Sequence, residues 1–261
     1  MAVGAGTGTG ALDGGARAKI FPMAPAPPMP PSSALARLAA AASRLGGGLV
    51  GLAYPPLCLG CEARLPDPAD ALCAACLRGL PRADPGALDR LFAGAAVDRA
   101  VALWAFDAGG AVRRVQHALK YGGRPSLGLP LGRVLGRAAA GAGGAPDAVA
   151  AVPLSRLRTL ERGYNQSDAV AAGVAEVLGV GVEALLVRTR PTRTQAALSA
   201  AERRRNVDGA FALAPGADVA GRRVLVVDDV LTTGATLRAA AAPLAAAGAT
   251  VDVAALALAG A

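Results

Sequence analysis

Aromatic residues, lysine and histidine are scarce in this sequence. Its 261 residues include 3% aromatic side chains, two lysines (Lys19 and Lys120) and one histidine, His117. So few rings leave few stacking platforms of the kind that single-strand nucleic-acid binders use. Nearly all of the positive charge is arginine, in an alanine- and glycine-rich composition typical of GC-rich coding. Arginine content by itself therefore indicates no special function.

Long apolar runs are also missing. The two most hydrophobic stretches cover residues 35–54 and 237–259. They are interrupted by charged residues and proline, namely Arg37, Arg44, Pro243 and Asp252. This excludes a polytopic membrane protein, and no membrane insertion is expected. Glycine is abundant without a period and the net charge of +8 is modest for the length, which excludes a collagen-like or wholly disordered chain.

The composition divides the chain into three parts. Residues 1–33 are rich in Gly, Ala and Pro without a helix or strand period, which predicts a disordered tail. This tail has neither the basic start nor the continuous apolar stretch of a signal peptide, so we expect a cytoplasmic protein. Residues 34–94 are predicted to hold a helix, a cysteine module and a polar connector. Residues 95–261 are predicted to form an α/β domain.

Strand signals alternate with helix signals in this third part. The predicted strands are Val97–Phe106, Ala148–Val152, Val182–Val187, Arg223–Val227 and Thr250–Ala257. The predicted helices are Val112–Tyr121, Leu127–Ala140, Asp168–Leu178 and Leu237–Ala247. This alternation predicts a parallel sheet with helices on both faces. Ligands of such sheets bind at the carboxyl ends of the strands.

All four cysteines lie close together in two C-x2-C pairs. Cys58 and Cys61 form the first pair, Cys73 and Cys76 the second, with eleven residues between the pairs. Four thiolates at this spacing can complete a tetrahedral shell around Zn²⁺. Two disulfides are the alternative, and they are less favoured because nothing in the sequence indicates secretion. A filled shell predicts a structural metal rather than a catalytic one.

A second cluster of polar residues follows the strongly apolar strand Arg223–Val227. Asp228 and Asp229 come directly after it, and the Thr- and Gly-rich segment Thr232–Thr236, here called the phosphate loop, opens the next helix. Backbone N–H groups at a helix start, together with threonine hydroxyls, bind phosphate well. Adjacent carboxylates can accept hydrogen bonds from ribose hydroxyls. The pattern predicts a ribose-phosphate site, the alternative being an acidic strand end before a threonine-capped helix.

Two arginine-rich segments, residues 153–166 and 188–206, also follow predicted strands. Residues 156–205 contain nine arginines and five acidic residues, a net charge of +4 (9 − 5). Guanidinium groups can bind phosphates with two hydrogen bonds at once, which suits a diphosphate. A solvated basic face is the alternative. Amides interspersed in these segments favour a site: Asn165, Gln166, Gln195 and Asn206.

The segment from Arg223 to Leu237 resembles the 5-phosphoribosyl diphosphate (PRPP) signature of type I phosphoribosyltransferases. With its other motifs, the chain resembles the ComF/GntX family, in which a four-Cys zinc module precedes a domain of the type I phosphoribosyltransferase fold. The motifs that carry this resemblance are the cysteine module, Leu119–Gly122, Arg162–Gln166, Thr194–Ser199, Glu202–Asn206 and the phosphate loop. They span nearly everything except the tail.

The resemblance assigns roles to particular residues. It implies that Asp228 and Asp229 hold the ribose hydroxyls and indirectly support Mg²⁺. The implied ligands of the 5-phosphate are Thr232, Thr233, Gly234, Ala235 and Thr236. The residues implied near the diphosphate or in a flexible element beside it are Lys120, Arg162, Asn165, Gln166, Gln195, Arg203 and Asn206.

Two functions are open at this point. In the first, the protein binds PRPP with Mg²⁺ and transfers the phosphoribosyl group to an acceptor that the sequence does not identify. In the second, the resemblance implies a competence protein for DNA uptake, which binds single-stranded nucleic acid and works with a helicase-type partner. The two are compatible, because a ribose-phosphate pocket can accept the end of a strand.

Overall fold

A computed structural model describes residues 56–107, 110–190 and 200–259, without the side chains of residues 200, 201, 203 and 204. The predicted tail, the predicted helix before the cysteines and Gln195 lie outside these ranges. The boundaries after residues 33 and 94 stay predictions. Among the described helices, none has both the length and the apolar character needed to cross a membrane.

The described residues form seven strands, and five of them build a parallel main sheet. The strands are β1 Arg99–Ala105, β2 Ala148–Ala151, β3 Gly181–Val182, β4 Leu186–Arg188, β5 Phe211–Leu213, β6 Arg223–Leu231 and β7 Thr250–Leu258. The main sheet has the order β1-β7-β6-β2-β3, and each neighbouring pair in it is parallel. β4 and β5 form a separate antiparallel pair. The predicted fold class is confirmed.

Helices cover both faces of this sheet. They are α1 Ala74–Gly79, α2 Pro85–Phe92, α3 Ala111–Tyr121, α4 Gly128–Gly141, α5 Arg156–Arg162, α6 Gln166–Leu178, α7 Ala200–Val207 and α8 Ala235–Ala246. A 3-10 turn at Pro125–Leu127 precedes α4. Several begin at side-chain caps, as α2 does at Asp84, whose carboxylate accepts hydrogen bonds from the N–H groups of Gly86 and Ala87.

The central strand β6 is covered by helices on both faces, which explains why its own sequence is a continuous apolar run. Val224 and Val226 belong to the hydrophobic core beneath α2 and α8. Leu225 and Val227 belong to the core beneath α3, α4 and α6. Successive side chains of a strand point to opposite faces, so a strand covered on both sides needs apolar residues at every position.

Four predictions about local structure were wrong. The predicted strand Val182–Val187 is two strands in different sheets, because the chain turns at Glu183, where Leu185 N–H donates to the Glu183 carbonyl. The predicted polar connector contains α2, and the first arginine-rich segment, which was expected to be a loop, contains α5. In addition, β6 runs four residues beyond its predicted end at Val227, so the two carboxylates lie within the strand.

The segment before β1 packs closely with the sheet. Arg82 forms an antiparallel bridge with Trp104 of β1. In α2, Leu88 and Phe92 are buried in the same core as α8. The Arg238 guanidinium of α8 donates to the Leu91 carbonyl at the end of α2 over 2.7 Å. These contacts place α2 beside the helix that follows the phosphate loop.

Helices α4 and α6 approach each other through glycines. A Cβ on Gly132 would lie 2.1 Å from the Val170 carbonyl oxygen, whereas one on Gly141 in the same helix would meet nothing within 4 Å. We expect Gly132→Ala to destabilise the fold by about 1–3 kcal/mol through overpacking. Gly141→Ala should be neutral or slightly stabilising. Urea denaturation checks this, and equal midpoints for the two variants would contradict it.

Candidate functional site

A cavity of about 330 Å³ opens at the carboxyl ends of β2 and β6. This is the edge of the sheet at which the sequence places a ligand. More than half of the residues that line the cavity are polar or charged. Its charged, hydroxyl, phenol and amide residues are Lys120, Tyr121, Ser155, Arg158, Arg162, Gln166, Arg188, Asp228, Asp229, Thr232 and Thr236.

The phosphate loop joins β6 to α8 along this cavity. Gly234 is the residue before α8 and has φ of +71°, a left-handed conformation that favours glycine. Thr232, Gly234, Ala235 and Thr236 all line the cavity. The first turn of α8 therefore borders the open space, and helix N-termini attract anions because their N–H groups are unpaired within the helix.

Thr233 is the exception in this loop. Its hydroxyl oxygen is buried and has no hydrogen-bond partner in the described part of the chain. Thr233 is not among the described residues that line the cavity. A Cβ on Gly234 would lie 3.7 Å from the Leu91 carbonyl oxygen and from the Phe92 ring, so the end of α2 packs against the loop.

The two adjacent carboxylates are held by different partners. Asp228 accepts hydrogen bonds from the Ser167 hydroxyl at 3.0 Å and from the Asp229 N–H at 2.8 Å. Asp229 pairs with the Lys120 ammonium, at 2.8 Å between Oδ2 and Nζ. The buried amide of Gln116 donates to the Asp229 carbonyl over 3.0 Å. Helix α3 thus supports the end of β6 through both Gln116 and Lys120.

The environments of these carboxyls drive their pKa values apart. Burial, and then the negative charge of Asp229, raise the pKa of Asp228 to about 7. Burial opposes the charge of Asp229, but the Lys120 ammonium together with side-chain hydrogen bonds from Lys120, Gln166 and Asp228 lowers the pKa of Asp229. The pair therefore carries one secure negative charge at Asp229, while Asp228 takes up charge near neutral pH.

Three arginines also line the cavity: Arg158, Arg162 and Arg188. Arg162 donates to the Gln166 side-chain oxygen at 2.8 Å. Arg188 donates to the Pro153 carbonyl at 3.2 Å, and its Cζ lies 5.1 Å from the ring centroid of Phe211. Burial lowers the pKa of Arg188, which the charge of Asp228 partly offsets. Three guanidinium groups that line one cavity suit a polyanionic ligand.

Most of the predicted site residues come together here. Those that line the cavity are Lys120, Arg162, Gln166, Asp228, Asp229, Thr232, Gly234, Ala235 and Thr236. Asn165 instead caps α6: its side-chain oxygen accepts from Ser167 N–H at 3.3 Å and its amide donates to the Val152 carbonyl at 3.1 Å. Asn206 and the backbone of Arg203 lie in α7. Neither residue is among those that line the cavity in the described ranges.

Several residues of the site were missed by the sequence analysis. Arg158 and Arg188 lie in the arginine-rich segments, but the sequence does not rank them above their neighbours. Tyr121 follows Lys120 within a motif of the resemblance, and it was given no role. Ser167 and Gln116 carry no sequence signal, because each reaches its partner only through the tertiary fold.

The four cysteines form a second polar cluster. Their sulfur atoms all lie within 4.8 Å of one another, and the Cys61 and Cys73 sulfurs are 3.8 Å apart. The Cys58 sulfur accepts hydrogen bonds from the N–H groups of Gly60 at 3.3 Å and Cys73 at 3.2 Å. These four residues are positioned to bind one metal ion, as their spacing predicts.

The acid–base properties of the cluster favour a cation at its centre. Burial opposes the Cys58 thiolate, yet backbone N–H donors at Cys73, Cys61 and Gly60 lower its pKa to about 6. The Cys61 thiol and its neighbours raise the pKa of Cys76 to about 12. Four thiolates so close together repel one another, so all four ionise together only when a metal balances their charge. An all-sulfur donor set fits structural Zn²⁺.

The cysteine cluster is joined to helix α3. The Arg114 guanidinium donates to the carbonyls of Leu59 and Gly60 between the first two cysteines. Leu65 and Leu72 are buried in the same hydrophobic core as α3. The helix that reaches Asp229 at one end therefore contacts the cysteine turns with its opening residues.

Comparison with known proteins agrees with this geometry. Residues 167–261 match the family model described as phosphoribosyl transferase domain. The chain therefore carries a domain of this class, which includes the carboxylates and the phosphate loop.

Two curated relatives are similar to part of this chain. Competence protein F of Haemophilus influenzae is 42% identical over 94 residues, which are 35% of this chain and 41% of that protein. DNA utilization protein YhgH of Escherichia coli O157:H7 is 43% identical over 93 residues, 35% of this chain and 40% of that protein. The matches span about two fifths of each relative. The resemblance to the ComF family is confirmed by these homologues.

A solved structure also resembles the chain. The glutamine PRPP amidotransferase from B. subtilis, complexed with ADP and GMP, is 28% identical with a TM-score of 0.37. The similarity covers 52% of this chain and 30% of that one.

Proposed function

We propose that this chain binds PRPP with Mg²⁺ in the cavity at the ends of β2 and β6, and transfers the phosphoribosyl group to an acceptor. One observation carries the proposal. The carboxylate pair, the phosphate loop and three guanidinium groups line a single cavity of about 330 Å³. These groups match the hydroxyls, the phosphate and the diphosphate of that molecule in charge and hydrogen-bonding character.

The 5-phosphate is assigned to the phosphate loop. The hydroxyls of Thr232 and Thr236 and the N–H groups of the first turn of α8 would donate hydrogen bonds to its oxygens. Gly234, with its left-handed backbone, lets the loop pass close to the phosphate without a side chain. Thr233 would contribute through its backbone, since its hydroxyl is buried away from the cavity.

The ribose is assigned to the carboxylates. Asp229, kept ionised by Lys120, can accept hydrogen bonds from the ribose hydroxyls, and Asp228 can do so once it is charged. Carboxylate oxygens also suit Mg²⁺, a hard cation that usually keeps several waters and bridges to phosphate oxygens. When bound, Mg²⁺ supplies positive charge that offsets the charge of the diphosphate.

The diphosphate is assigned to Arg158, Arg162 and Arg188. As the bond from ribose C1 to diphosphate oxygen breaks, the electron pair leaves with the diphosphate, and these guanidiniums stabilise the growing charge. The acceptor atom then forms its bond to C1. Catalysis in this scheme is mainly positioning and electrostatic stabilisation by fixed groups.

Calorimetry with PRPP tests the proposal. We expect Mg²⁺-dependent binding that weakens about 10- to 100-fold in Asp229→Asn and in Asp228→Asn, because each change removes a charged hydrogen-bond acceptor. Asp89→Asn, an exposed carboxyl on α2, is the matched control and should bind like the wild type. Equal, Mg²⁺-independent affinity in all four proteins would overturn the assignment.

The names of the relatives favour a second candidate. Competence protein F and DNA utilization protein YhgH are named for roles with DNA. We propose as the alternative that this chain binds single-stranded DNA with little or no transferase activity. Arg156, Arg190 and Arg205 of the arginine-rich segments are exposed and supply positive charge for phosphate-backbone contacts. Anisotropy of a labelled single strand separates the candidates, since lack of binding at low salt excludes this one.

A further inference from the structure

The four cysteines differ in how far they are exposed to solvent. Cys61 is exposed, Cys73 and Cys76 are half-buried, and Cys58 is buried. The Cys58 sulfur is also held in place, because it accepts hydrogen bonds from the N–H groups of Gly60 and Cys73. An oxidant that arrives from solvent therefore meets Cys61 first and Cys58 last.

Cys61 has a close neighbour in the other C-x2-C pair. The sulfur of Cys73 lies 3.8 Å from that of Cys61. A disulfide needs about 2 Å between its sulfurs, so a small movement of the exposed Cys61 side chain closes the gap. The Cys76 sulfur packs instead against the first turn, where a Cβ on Gly60 would lie 2.7 Å from it. An exposed thiol beside a second thiol is the arrangement typical of redox-sensing cysteines.

We propose that Cys61 and Cys73 form a modification site for hydroperoxides: a disulfide between them opens the cysteine cluster, releases its metal and weakens ligand binding in the cavity. The first two effects concern the cluster alone, and the third rests on the proposed function. Two separate features support the proposal. One is the exposure of Cys61 beside the Cys73 sulfur, and the other is the set of hydrogen bonds that joins the Cys61 turn to helix α3.

The reaction begins at the Cys61 thiolate, whose sulfur attacks the terminal oxygen of the hydroperoxide. An S–O bond forms, the O–O bond breaks, and the departing oxygen takes a proton from solvent and leaves as water or as an alcohol. The Cys73 thiolate then attacks the oxidised sulfur, the S–S bond forms, and the hydroxyl group leaves and is protonated to water. The two sulfurs together lose two electrons, which the hydroperoxide gains.

Formation of the disulfide removes half of the metal ligands. Only the Cys58 and Cys76 thiolates remain, whereas structural Zn²⁺ takes four ligands. The ion therefore dissociates, and the binding energy that it adds to the fold is lost with it. A dithiol reductant restores both thiols, so the change is reversible as long as the sulfur is not oxidised further to the sulfinic acid.

Helix α3 connects the modified cysteines to the cavity. Arg114 donates to the carbonyl of Gly60, the residue before the exposed cysteine, over 3.0 Å. On the same helix, Gln116 donates to the carbonyl of Asp229, which lies at the cavity. A displaced cysteine turn removes the acceptor of Arg114, and α3 then supports the end of β6 less firmly.

Hydrogen peroxide added to the zinc-loaded wild type tests the modification site. Cysteine variants are unsuitable, since they lose the metal themselves. A chromogenic chelator measures released zinc, and mass spectrometry after alkylation of the free thiols identifies the disulfide. We expect about one zinc released per disulfide, with Cys61 linked to Cys73 first, and recovery of the metal and of the melting temperature after dithiothreitol and zinc are added. Wild type that takes up no zinc, zinc that stays bound in a large excess of peroxide, or a first disulfide that contains Cys58 or Cys76 each rules the site out.

Two neighbouring variants test the link to the cavity. Arg114→Ala removes the hydrogen bonds to the cysteine turn and keeps all four cysteines, and Arg113→Ala is the matched control at the adjacent exposed position. Calorimetry measures PRPP binding before and after oxidation, at a temperature at which melting curves show each protein to be folded. We expect oxidation to weaken binding about tenfold in the wild type and in Arg113→Ala, a typical size for coupling between two sites, and to change it little in Arg114→Ala.

The outcomes distinguish this inference from the proposed function. If the reduced wild type binds no PRPP, the proposed function and the link to the cavity both fail, while zinc release still decides the modification site. If PRPP binds equally before and after oxidation, or if oxidation weakens binding as much in Arg114→Ala as in the wild type, the link through α3 is wrong and the proposed function stands.

Discussion

Loss of the metal from the cysteine cluster is expected to destabilise the sheet domain as well as the cysteine turns. Cys58, Leu65 and Leu72 are buried and share one hydrophobic core with Trp104 and α3. If the cysteine turns open, these side chains leave that core and expose the residues beneath them. Loss of the metal therefore lowers the stability of the main fold as well as that of the cysteine turns.

The expected size of this effect is large. Structural zinc contributes about 10–16 kcal/mol of apparent binding energy to small zinc domains, and part of that is lost when one ligand is removed. We expect Cys61→Ser to cost at least about 4 kcal/mol, which lowers the melting temperature by roughly 8–16 °C for a domain of this size. Cys61 is exposed, so without a bound metal the same change would cost little.

Two measurements check this expectation. Elemental analysis should find about one zinc per wild-type chain and much less in Cys61→Ser. Differential scanning calorimetry should show the lower melting temperature in Cys61→Ser and in wild-type protein treated with a strong chelator. A metal-free wild-type sample that melts like untreated protein would falsify the structural role of the metal.

The Cys61→Ser substitution is also expected to affect ligand binding in the cavity. Arg114 contacts the turn between the first two cysteines, while Gln116 and Lys120 of the same helix contact Asp229. Loosening the cysteine turns removes the carbonyl acceptors of Arg114. We therefore expect PRPP affinity in Cys61→Ser to fall even at temperatures where the protein stays folded.

The parts of the fold that follow from local patterns could be predicted from the sequence. The continuous apolar runs of β6 and β7 and the helical spacing in α3, α4 and α6 are each visible in the local sequence. The cysteine pairs and the phosphate loop are also local, since their spacing alone brings the functional atoms together. The structure bears out these strands and helices, apart from a few residues at their ends, and it brings the four cysteine sulfurs within 4.8 Å of one another.

The parts that depend on tertiary contacts could not be predicted. The apolar residues of 182–187 look like one strand, and only the pairing of β4 with β5 reveals that the chain changes sheet after Val182. Helix α2 is short and carries no long repeat, although its Phe92 lies under the phosphate loop. Local patterns carry no information on such distant partners.

The site residues likewise divide into those that a local pattern predicts and those that depend on tertiary contacts. Asp228, Asp229 and the loop threonines lie in one continuous segment, so the sequence places them together. Among nine arginines in residues 156–205, the resemblance singled out Arg162, whereas the choice of Arg158 and Arg188 for the cavity depends on how α5 and β4 pack. The amide side chain of Asn165 suggested a site residue. In the structure it caps α6, because its oxygen accepts a hydrogen bond from the Ser167 N–H.

Asp228→Asn is expected to stabilise the ligand-free protein above pH 7 while it weakens PRPP binding. Asp228 lies at the edge of the cavity, where burial and the neighbouring charge of Asp229 raise its pKa to about 7. Asparagine has the same shape and can still accept the hydrogen bonds from Ser167 and from the Asp229 N–H. The substitution therefore removes an unfavourable charge and keeps its contacts.

The dependence on pH follows from the direction of this shift. In the unfolded chain the carboxyl loses its proton near pH 4, and in the folded protein it does so near pH 7. Ionisation thus favours the unfolded state, and its penalty in the wild type grows as the pH rises from about 4 to about 7. The advantage of Asp228→Asn should be nearly absent below pH 4 and complete above pH 7, on the order of 2–4 kcal/mol.

Thermal melting of the wild type, Asp228→Asn and Asp89→Asn between pH 4 and pH 8 measures this advantage. The buffers contain no Mg²⁺ or phosphate, which would bind at the cavity, and no chelator, which would strip the cysteine cluster. Asp89 is exposed on α2, so its variant should follow the wild type throughout. If Asp228→Asn melts at a constant offset from the wild type at every pH, the carboxyl is not strained by its neighbours. A gap that opens between pH 4 and pH 7 shows that the protein gives up stability to hold two adjacent carboxylates at the end of β6.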